Sequence, residues 1–307
     1  MPIMKTATTR REFIRDAALL AGVALTSPLL APAAEAKVKR TAADRVLLGR
    51  TGIELSRLGM GAGSNSGNVQ RSLGREGFNR LVRHAYDRGI TYIDTAQGYQ
   101  THDWVREAIK GLPREKYFLQ TKMSGSPEKP LDVIDRYRKE LGTDYIDSLL
   151  VHCMVKGDWT DQMKRIMEAF DVAKEKNWIR AKGVSCHSLP ALTAAAASDW
   201  TNVHLVRLNP QGAHMDTPAE TWNAKSGESD IPPVVAQIKA MRAKGHGIIG
   251  MKLIGDGDFK NPEQRERSIR YVMQSGLCDA VVIGFKSPAE IDEAIERIDR
   301  ALAEVVS

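Results

Sequence analysis

Residues 88–96 read Arg88-Gly89-Ile90-Thr91-Tyr92-Ile93-Asp94-Thr95-Ala96, a short apolar run that ends on a carboxylate. Runs of this kind recur along the chain, and segments with the apolar spacing of an amphipathic helix separate them. The predicted strands are residues 58–61, 92–94, 117–121, 146–151, 179–184, 204–209, 247–251 and 280–284. Alternating strands and helices indicate parallel strands joined by right-handed crossovers. Eight such units predict an α/β fold, the (β/α)8 TIM barrel.

An open, doubly wound sheet is the competing architecture. It would require a Gly-x-Gly-x-x-Gly fingerprint directly after its first strand. Residues 59–64 read Gly59-Met60-Gly61-Ala62-Gly63-Ser64 and lack that spacing. Upstream, residues 45–56 alternate around Gly49 and the pair Thr51-Gly52, which is typical of a β-hairpin. We expect this N-terminal β-hairpin to close the bottom of the barrel.

The composition is that of a folded protein. Apolar residues make up 42% of the 307 residues and charged residues 27%. The net charge of +6 includes no dense basic run, so nucleic acid is not expected as a partner. No apolar run reaches the roughly 18 residues that a membrane span needs. Three cysteines are too few for a small fold held together by disulfides.

The first 36 residues have the three parts of an export signal. A basic segment, Thr9-Arg10-Arg11-Glu12-Phe13-Ile14-Arg15, precedes a weakly apolar run over residues 17–30, and Ala34-Glu35-Ala36 is a small-x-small cleavage pattern. The paired arginines resemble a twin-arginine signal. We expect the twin-arginine export machinery to deliver residues 37–307 to the periplasm already folded, with no membrane anchor after cleavage. An amphipathic helix or a disordered tail is the alternative.

Four titratable side chains follow three consecutive predicted strands. Asp94 ends the second strand and Tyr99 follows it five residues later, Lys122 comes at the end of the third strand, and His152 at the end of the fourth. The active site of a (β/α)8 barrel forms where its strands end, so these groups should meet there. Each one alone has a structural explanation, such as a helix cap for Asp94 or a structural hydrogen bond for His152. Four such groups at one barrel mouth indicate chemistry.

The chemistry that suits these groups is reduction of a carbonyl. A lysine ammonium would lower the pKa of a neighbouring Tyr99 hydroxyl, and Asp94 would keep a buried Lys122 charged. A neutral His152 could donate a hydrogen bond to a carbonyl oxygen and orient it. Together these groups would polarise and protonate a C=O group that receives hydride from a cofactor.

In order and in strand context, Asp94, Tyr99, Lys122 and His152 resemble the catalytic tetrad of the aldo-keto reductase family. Other stretches that are similar to the family are residues 48–52, 58–61, 88–96, 141–147 and 183–185, and the resemblance covers residues 45–303. It implies an oxidoreductase that interconverts a small-molecule carbonyl and an alcohol, with Tyr99 as general acid. It also implies that NADPH, or less often NADH, binds across the barrel mouth.

The resemblance extends to part of the cofactor site. Ser185 matches the residue that hydrogen-bonds the nicotinamide amide, but Cys186 follows it where the family usually has Asn. Asn209 or Gln211 remains as a donor near the sixth strand, which lacks the family's stacking aromatic. Lys252 ends the seventh strand, either as an anion contact or as a solvated side chain.

The loop after the eighth strand, from Gly284 onward, occupies the place of the family's 2′-phosphate site. Lys286 and Ser287 could bind a phosphate at the start of the last helix. Glu290 stands where NADP-binding members often have Arg, and Ala294 replaces a frequent Asn. A carboxylate would repel a 2′-phosphate, so a preference for NADH, weak dinucleotide binding and loss of the cofactor all remain open.

A cofactor-free barrel in the periplasm is the second functional hypothesis, either a binding protein or an enzyme that uses Tyr99 and Lys122 for acid–base chemistry. The pairs His152-Cys153 and Cys186-His187 contain metal-ligating side chains. Successive strand residues face opposite sides, so no metal site is predicted. A disulfide between Cys153 and Cys186 remains open. The long polar segment 212–230, which contains His214 and Trp222, is a candidate lid or substrate loop.

Overall fold

The computed structural model describes residues 40–305, so the predicted export signal lies outside the described residues. A closed barrel of parallel strands follows a two-stranded antiparallel hairpin. The hairpin strands are β1 (Arg45–Leu47) and β2 (Glu54–Ser56). The barrel strands are β3 (Leu58–Gly61), β4 (Tyr92–Asp94), β5 (Phe118–Met123), β6 (Ile146–Met154), β7 (Ile179–Cys186), β8 (Val203–Arg207), β9 (Gly247–Met251) and β10 (Ala280–Gly284).

The barrel strands follow one another in chain order, and β10 pairs with β3 to close the ring. This confirms the predicted (β/α)8 TIM barrel. The bounds of β3, β4, β9 and β10 agree with the predicted strands. Strands β6 and β7 are longer than predicted because they continue to pair, up to Met154 and Cys186, beyond a register shift after Val151.

Helices cover the outside of the barrel. Those in the described residues are α1 (Asn68–Arg71), α2 (Gly74–Asp87), α3 (His102–Ile109), α4 (Pro130–Leu141), α5 (Trp159–Gln162), α6 (Lys164–Glu175), α7 (Leu189–Ala197), α8 (Ile231–Ala243), α9 (Pro262–Gln274) and α10 (Pro288–Ala303). Their apolar faces pack on the strands in one large buried cluster. Within residues 40–305, no helix combines the length and the apolar character needed to cross a membrane.

A short helix precedes α6, and one predicted strand ends earlier than expected. Trp159 of α5 is buried, and its Nε1 donates to the Ala191 carbonyl 3.1 Å away. This contact fixes α5 against α7 as a separate turn. The strand expected over residues 204–209 ends at Arg207. Pro210 has no N–H to donate, and the chain turns at that point.

The hairpin closes the bottom of the barrel, as predicted. Gly49 N–H donates to Asp279 Oδ2 (3.1 Å), and the same oxygen accepts the Ile248 N–H (2.9 Å) near the start of β9. Gly49 has φ +52°, and a Cβ there would lie 2.4 Å from the Gly247 nitrogen. Leu48 inserts into the inner apolar cluster, which also contains Tyr92 of β4. The lower end is sealed, so the upper end is the only open end of the barrel among the described residues.

Packing inside the lower barrel depends on small residues facing large ones. A Cβ on Gly59 of β3 would lie 2.1 Å from Tyr92 Cδ1, and Tyr92 is fully buried on the adjacent strand. The Tyr92 hydroxyl accepts a hydrogen bond from Gln120 Nε2 (2.9 Å), so the ring cannot shift without losing it. Glycine at this position therefore creates the space for the ring.

We predict that Gly59→Ala lowers the free energy of unfolding by about 1–3 kcal/mol, because overpacking displaces Tyr92. Urea unfolding measures the change. Gly227→Ala is the matched control, since its backbone is extended (φ −155°) and a Cβ would meet nothing within 4 Å. The control should differ from the unsubstituted protein by less than about 0.5 kcal/mol. Equal stability of Gly59→Ala and the control would contradict the packing argument.

Candidate active site

The four predicted tetrad residues meet at the open end of the barrel. Asp94 ends β4, Lys122 lies in β5, His152 lies in β6, and Tyr99 follows β4 in a short 3₁₀ turn (Gln97–Tyr99). Asp94, Tyr99 and His152 line a cavity of about 990 Å³. That volume is in the upper part of the range for small-molecule and cofactor sites.

Lys122 forms a fully buried ion pair beneath the cavity. Its Nζ donates to Asp94 Oδ1 and Oδ2 (both 2.7 Å) and to the Thr95 carbonyl (2.8 Å). Asp94 Oδ1 also accepts a hydrogen bond from Gln120 Nε2 (2.8 Å). Burial lowers the pKa of Lys122, and the adjacent carboxylate opposes that shift. All three ammonium hydrogens are thereby satisfied, which a buried lysine requires.

Tyr99 is held between Lys122 and Gly63. Lys122 Nζ lies 5.0 Å from the centre of the Tyr99 ring. A Cβ on Gly63 would come within 2.4 Å of Tyr99 Cε2 and 2.9 Å of its hydroxyl oxygen, so only glycine leaves room for the ring. Arg71 donates to the Tyr99 carbonyl and fixes the backbone of the turn.

The pKa of Tyr99 shifts in the direction opposite to the one expected from the sequence. Burial raises the pKa of Tyr99 well above its usual value, and the charge of Asp94 raises it further. Lys122 does not compensate, because its hydrogens are directed to Asp94 and Thr95 and not to the phenol oxygen. Tyr99 is therefore a protonated hydroxyl at neutral pH, in the form of a proton donor.

His152 connects the tyrosine hydroxyl to a residue that sequence reasoning missed. Its Nε2 lies 3.3 Å from the Tyr99 hydroxyl, and its Nδ1 lies 2.8 Å from Ser124 Oγ. Burial lowers the pKa of His152 to about 3, and the charge of Lys122 adds to the effect. The ring is thus neutral. Ser124 is two residues beyond Lys122, and the period of two along a strand was the signal that could have found it.

Five of the eight expected cofactor residues lie on the cavity wall: Ser185, Lys252, Gly284, Lys286 and Glu290. Ser185 Oγ is buried and has no hydrogen-bond partner within residues 40–305, which suits a ligand amide. Lys252 has φ +65°, and its Nζ lies 2.9 Å from Asp256 Oδ1. A Cβ on Gly284 would lie 1.9 Å from Ser64 Oγ, so glycine here leaves room for the Ser64 side chain.

Asn209 and Gln211 do not reach the cavity wall among the described residues. The Asn209 amide donates to the carbonyls of Ala213 (2.7 Å) and Lys252 (3.2 Å), and it accepts from two backbone N–H groups of its own loop. Gln211 Nε2 donates to the Gln264 carbonyl (2.9 Å). Both side chains are used to hold the loop after β8. Sequence reasoning saw amide donors there and could not see their local partners.

The start of α10 carries its own anion. Ser287 caps the helix by accepting the Glu290 N–H (3.3 Å). Glu290 lines the cavity and accepts the Lys286 N–H at Oε2 (2.8 Å), and Lys286 Nζ lies 3.7 Å from Oε1. The Glu290 carboxylate therefore occupies backbone hydrogen-bonding capacity that a 2′-phosphate would otherwise use. This end of the cavity suits an uncharged ribose hydroxyl better than a phosphate.

Further groups complete the cavity. Residues 213, 214 and 222–226 line it, so the predicted lid segment does reach the mouth. His187 and Arg207 also line it, although the sequence had not singled out Arg207 at all. The three cysteines are free thiols, so Cys153 and Cys186 are not bridged. In residues 40–305, no cluster of three or more His, Cys, Asp or Glu side chains is arranged to hold a metal ion.

Comparison with known proteins identifies relatives. Residues 57–269 match the model of the aldo/keto reductase family. The chain is 33% identical over 157 residues to aldo-keto reductase YhdN of Bacillus subtilis (45% of this chain, 46% of that protein). It is 30% identical over 137 residues to methylglyoxal reductase DkgB of Salmonella typhi (42% of this chain, 51% of that protein). The chain thus spans about half the length of these curated relatives.

The fold also matches solved structures. One is the Bombyx mori aldo-keto reductase AKR2E4 in complex with NADP, with a TM-score of 0.62 and 17% identity. The match covers 85% of this chain and 94% of that one. At this identity the likeness concerns the fold alone.

The neutral state of His152 predicts a dependence of stability on pH. Its folded pKa of about 3 is below the usual value of about 6.5, so as pH falls through that window the unfolded chain takes up a proton that the folded protein does not. The free energy of unfolding should therefore decrease as the pH decreases through this window. His152→Gln should reduce the slope of the free energy of unfolding against pH by about 1 kcal/mol per pH unit. Urea unfolding at a series of pH values measures both slopes. Identical slopes would show that His152 titrates normally.

Proposed function

The chain belongs to the aldo/keto reductase family, and from that membership we propose that it is an NAD(P)H-dependent oxidoreductase that interconverts a small-molecule carbonyl compound and its alcohol. The observation that supports this most directly is the contact between the Tyr99 hydroxyl and His152 Nε2 (3.3 Å) at the cavity that both residues line with Asp94. The name of the relative DkgB includes methylglyoxal, so small aldehydes of that kind are the first compounds to assay.

Each side chain of the tetrad has a defined task in this proposal. Tyr99 donates its hydroxyl proton to the carbonyl oxygen as that oxygen gains charge. If Ser124 Oγ donates to His152 Nδ1, the ring hydrogen is on Nε2 and can orient the same carbonyl oxygen. The ion pair of Lys122 and Asp94 fixes the floor beneath Tyr99 and can respond when the phenol loses its proton.

The cavity also suits the cofactor of the family. A bound nicotinamide dinucleotide would supply the hydride. Ser185 would hydrogen-bond its amide through the unpartnered Oγ, and Gly284 and Lys286 lie on the same cavity wall. Glu290 favours NADH over NADPH in this site, because its carboxylate already accepts the Lys286 N–H.

We further propose that the protein is exported by the twin-arginine machinery and acts in the periplasm. The support is the order of the basic segment, the apolar run and the Ala34-Glu35-Ala36 cleavage pattern. Free nicotinamide dinucleotide is not expected outside the cytoplasm. Export in folded form would therefore carry bound cofactor into the periplasm together with the barrel. Turnover there would require a second substrate that regenerates the reduced cofactor.

Replacing Tyr99 tests the proposed reaction. Tyr99→Phe should lower kcat/KM for carbonyl reduction by about 100- to 10,000-fold, the usual contribution of a positioned general acid. Steady-state assays with NADPH and NADH on small aldehydes measure the loss. Tyr86→Phe, on the outer helix α2, is the matched control and should keep full activity. Full activity of Tyr99→Phe would remove Tyr99 from the mechanism.

Neutralising Glu290 tests the cofactor preference. Glu290→Gln should shift the ratio of Kd values for NADH and NADPH about tenfold toward NADPH, equivalent to about 1.4 kcal/mol of relieved charge repulsion. Fluorescence titration with each dinucleotide measures the ratio. Glu296→Gln, an exposed position on the same helix, is the control and should leave the ratio unchanged. A shift of equal size in both variants would mean that the net charge of the protein is responsible and not the position of Glu290.

A further inference from the structure

Arg207 is a buried cation at the active-site cavity that the proposed reaction does not use. It ends β8, its exposure is 4%, and it lines the same cavity as Tyr99 and His152. Its Nη2 donates to His187 Nδ1 and to the Trp222 carbonyl (2.8 Å) in the segment 212–230. These two contacts leave Nε and Nη1 without hydrogen-bond acceptors among the described residues.

The carboxylate nearest this guanidinium, that of Asp216, is incompletely paired with it, and the charge of Asp256 also acts on Arg207. Asp216 Oδ1 lies 3.5 Å from Arg207 Nε. Yet Nε and both Asp216 oxygens have no hydrogen-bond partner in the described part of the chain, although Asp216 is fully buried. The contrast with Lys122, whose three hydrogens are all accepted, is clear. Burial raises the pKa of Asp216 to about 7, so its charge offsets that of Arg207 only partly at neutral pH.

His187 adds a fixed donor beside Arg207. A guanidinium can only donate, so the His187 Nδ1 that meets it must accept, and the ring hydrogen is therefore on Nε2. Burial and the charge of Arg207 hold the pKa of His187 well below its usual value, so the ring is neutral. No group in residues 40–305 accepts a hydrogen bond from Nε2, and His187 lines the cavity. Arg207 and His187 thus present donors to the cavity with nothing in the chain to receive them.

The position of these donors suits one end of a small substrate. His152, His187 and Arg207 come from or directly follow β6, β7 and β8, which are neighbours in the barrel. The backbone N–H of His187 donates to the Met154 carbonyl (2.7 Å) at the end of β6. This hydrogen bond holds the ends of β6 and β7 together. A molecule whose carbonyl oxygen lies at Tyr99 and His152 therefore has Arg207 and His187 on the adjacent wall.

We propose that Arg207 and His187 form a carboxylate subsite, and that the substrates of this enzyme are oxo acids. This inference rests on the proposed function. The substrate carbonyl lies at Tyr99 and His152, and its carboxylate accepts hydrogen bonds from the Arg207 guanidinium and from His187 Nε2. Charge-assisted bonds of this kind are stronger than neutral ones. Nη2 is committed to His187 and Trp222 and Nε is buried against Asp216, so Nη1 is the guanidinium nitrogen that donates to the bound carboxylate.

A matched pair of substrates tests the subsite during turnover. Phenylglyoxylate and its methyl ester differ in charge but share the ketone and the ring. The unsubstituted protein should have a higher kcat/KM for the acid than for the ester. Arg207→Met should lower this acid-to-ester ratio of kcat/KM by about 100-fold. Arg207→Lys, which keeps the charge but not the position of Nη1, should give an intermediate ratio. An acid-to-ester ratio of kcat/KM that is the same in the unsubstituted protein and in Arg207→Met would overturn the proposal.

A binding measurement separates the subsite from the reaction itself. Calorimetric titration of the full chain with benzoate should show binding that neutral benzamide lacks, and Arg207→Met should abolish it. Tyr99→Phe should retain it, since Tyr99 and His152 also offer donors and must be distinguished from Arg207. Circular dichroism and urea unfolding establish that each variant is folded, and Arg207→Lys replaces Arg207→Met if the latter is not.

The outcomes for the subsite and for the reductase are distinct. If benzoate binding depends on Arg207 but no carbonyl compound is reduced, the subsite stands and the proposed reductase function fails. If neutral aldehydes are reduced but the acid is not preferred and benzoate does not bind, the reductase stands and the subsite fails. Benzoate binding that is lost in Tyr99→Phe and kept in Arg207→Met also overturns the subsite.

Discussion

The buried ion pair of Lys122 and Asp94 is the interaction on which the site depends. Placing an ammonium under the barrel mouth is costly unless every one of its hydrogens is accepted. The ends of β4 and β5 supply those acceptors, two from Asp94 and one from the Thr95 carbonyl. The same contacts fix the chain that leads into the turn carrying Tyr99. Because the pair is complete, its charge does not reach the tyrosine hydroxyl as a hydrogen-bond donor, and Tyr99 stays protonated.

Much of this arrangement could be predicted from the sequence because it follows from strand ends. In a parallel barrel, a residue at the end of a strand faces the mouth whatever the loops do, so Asp94, Lys122 and His152 could be placed from periodicity alone. The hairpin over residues 45–56 was predictable for a similar reason, since its turn glycines are local signals. The glycines at 59 and 63 are different: each creates space for an aromatic ring that lies far away in sequence.

What the sequence could not give are properties that depend on long-range contacts. The direction of the Tyr99 pKa shift depends on where the Lys122 hydrogens point, which requires coordinates. Asn209 has the residue type of a ligand donor, but its own loop occupies its amide. Arg207 was an ordinary strand residue in the sequence. Its importance arises from His187, which directly follows the neighbouring strand β7, and from the Trp222 carbonyl on a long loop.

The cavity therefore joins a completed charge pair under the reacting position with an incompletely paired cation on the adjacent wall. The completed pair suits a task common to any carbonyl substrate, which is to hold a neutral acid in place. The incompletely paired Arg207 suits binding of a substrate. An unpaired donor can form a new hydrogen bond to a ligand, whereas a donor that already has its acceptor cannot. The carboxylate of Glu290, at the far end of the cavity, is a third local charge that distinguishes between ligands.

The dependence of kcat/KM on pH for a neutral carbonyl compound, from about pH 6 to about pH 9.5, tests the central claim most directly, since that profile reports the pKa values of the free enzyme. The account predicts a profile without inflection in this range. The reason is that the pKa of His152 lies at about 3 and that of Tyr99 well above its usual value. An inflection near neutral pH that disappears in Tyr99→Phe would contradict the account, because it would mean that Lys122 lowers the pKa of the tyrosine after all.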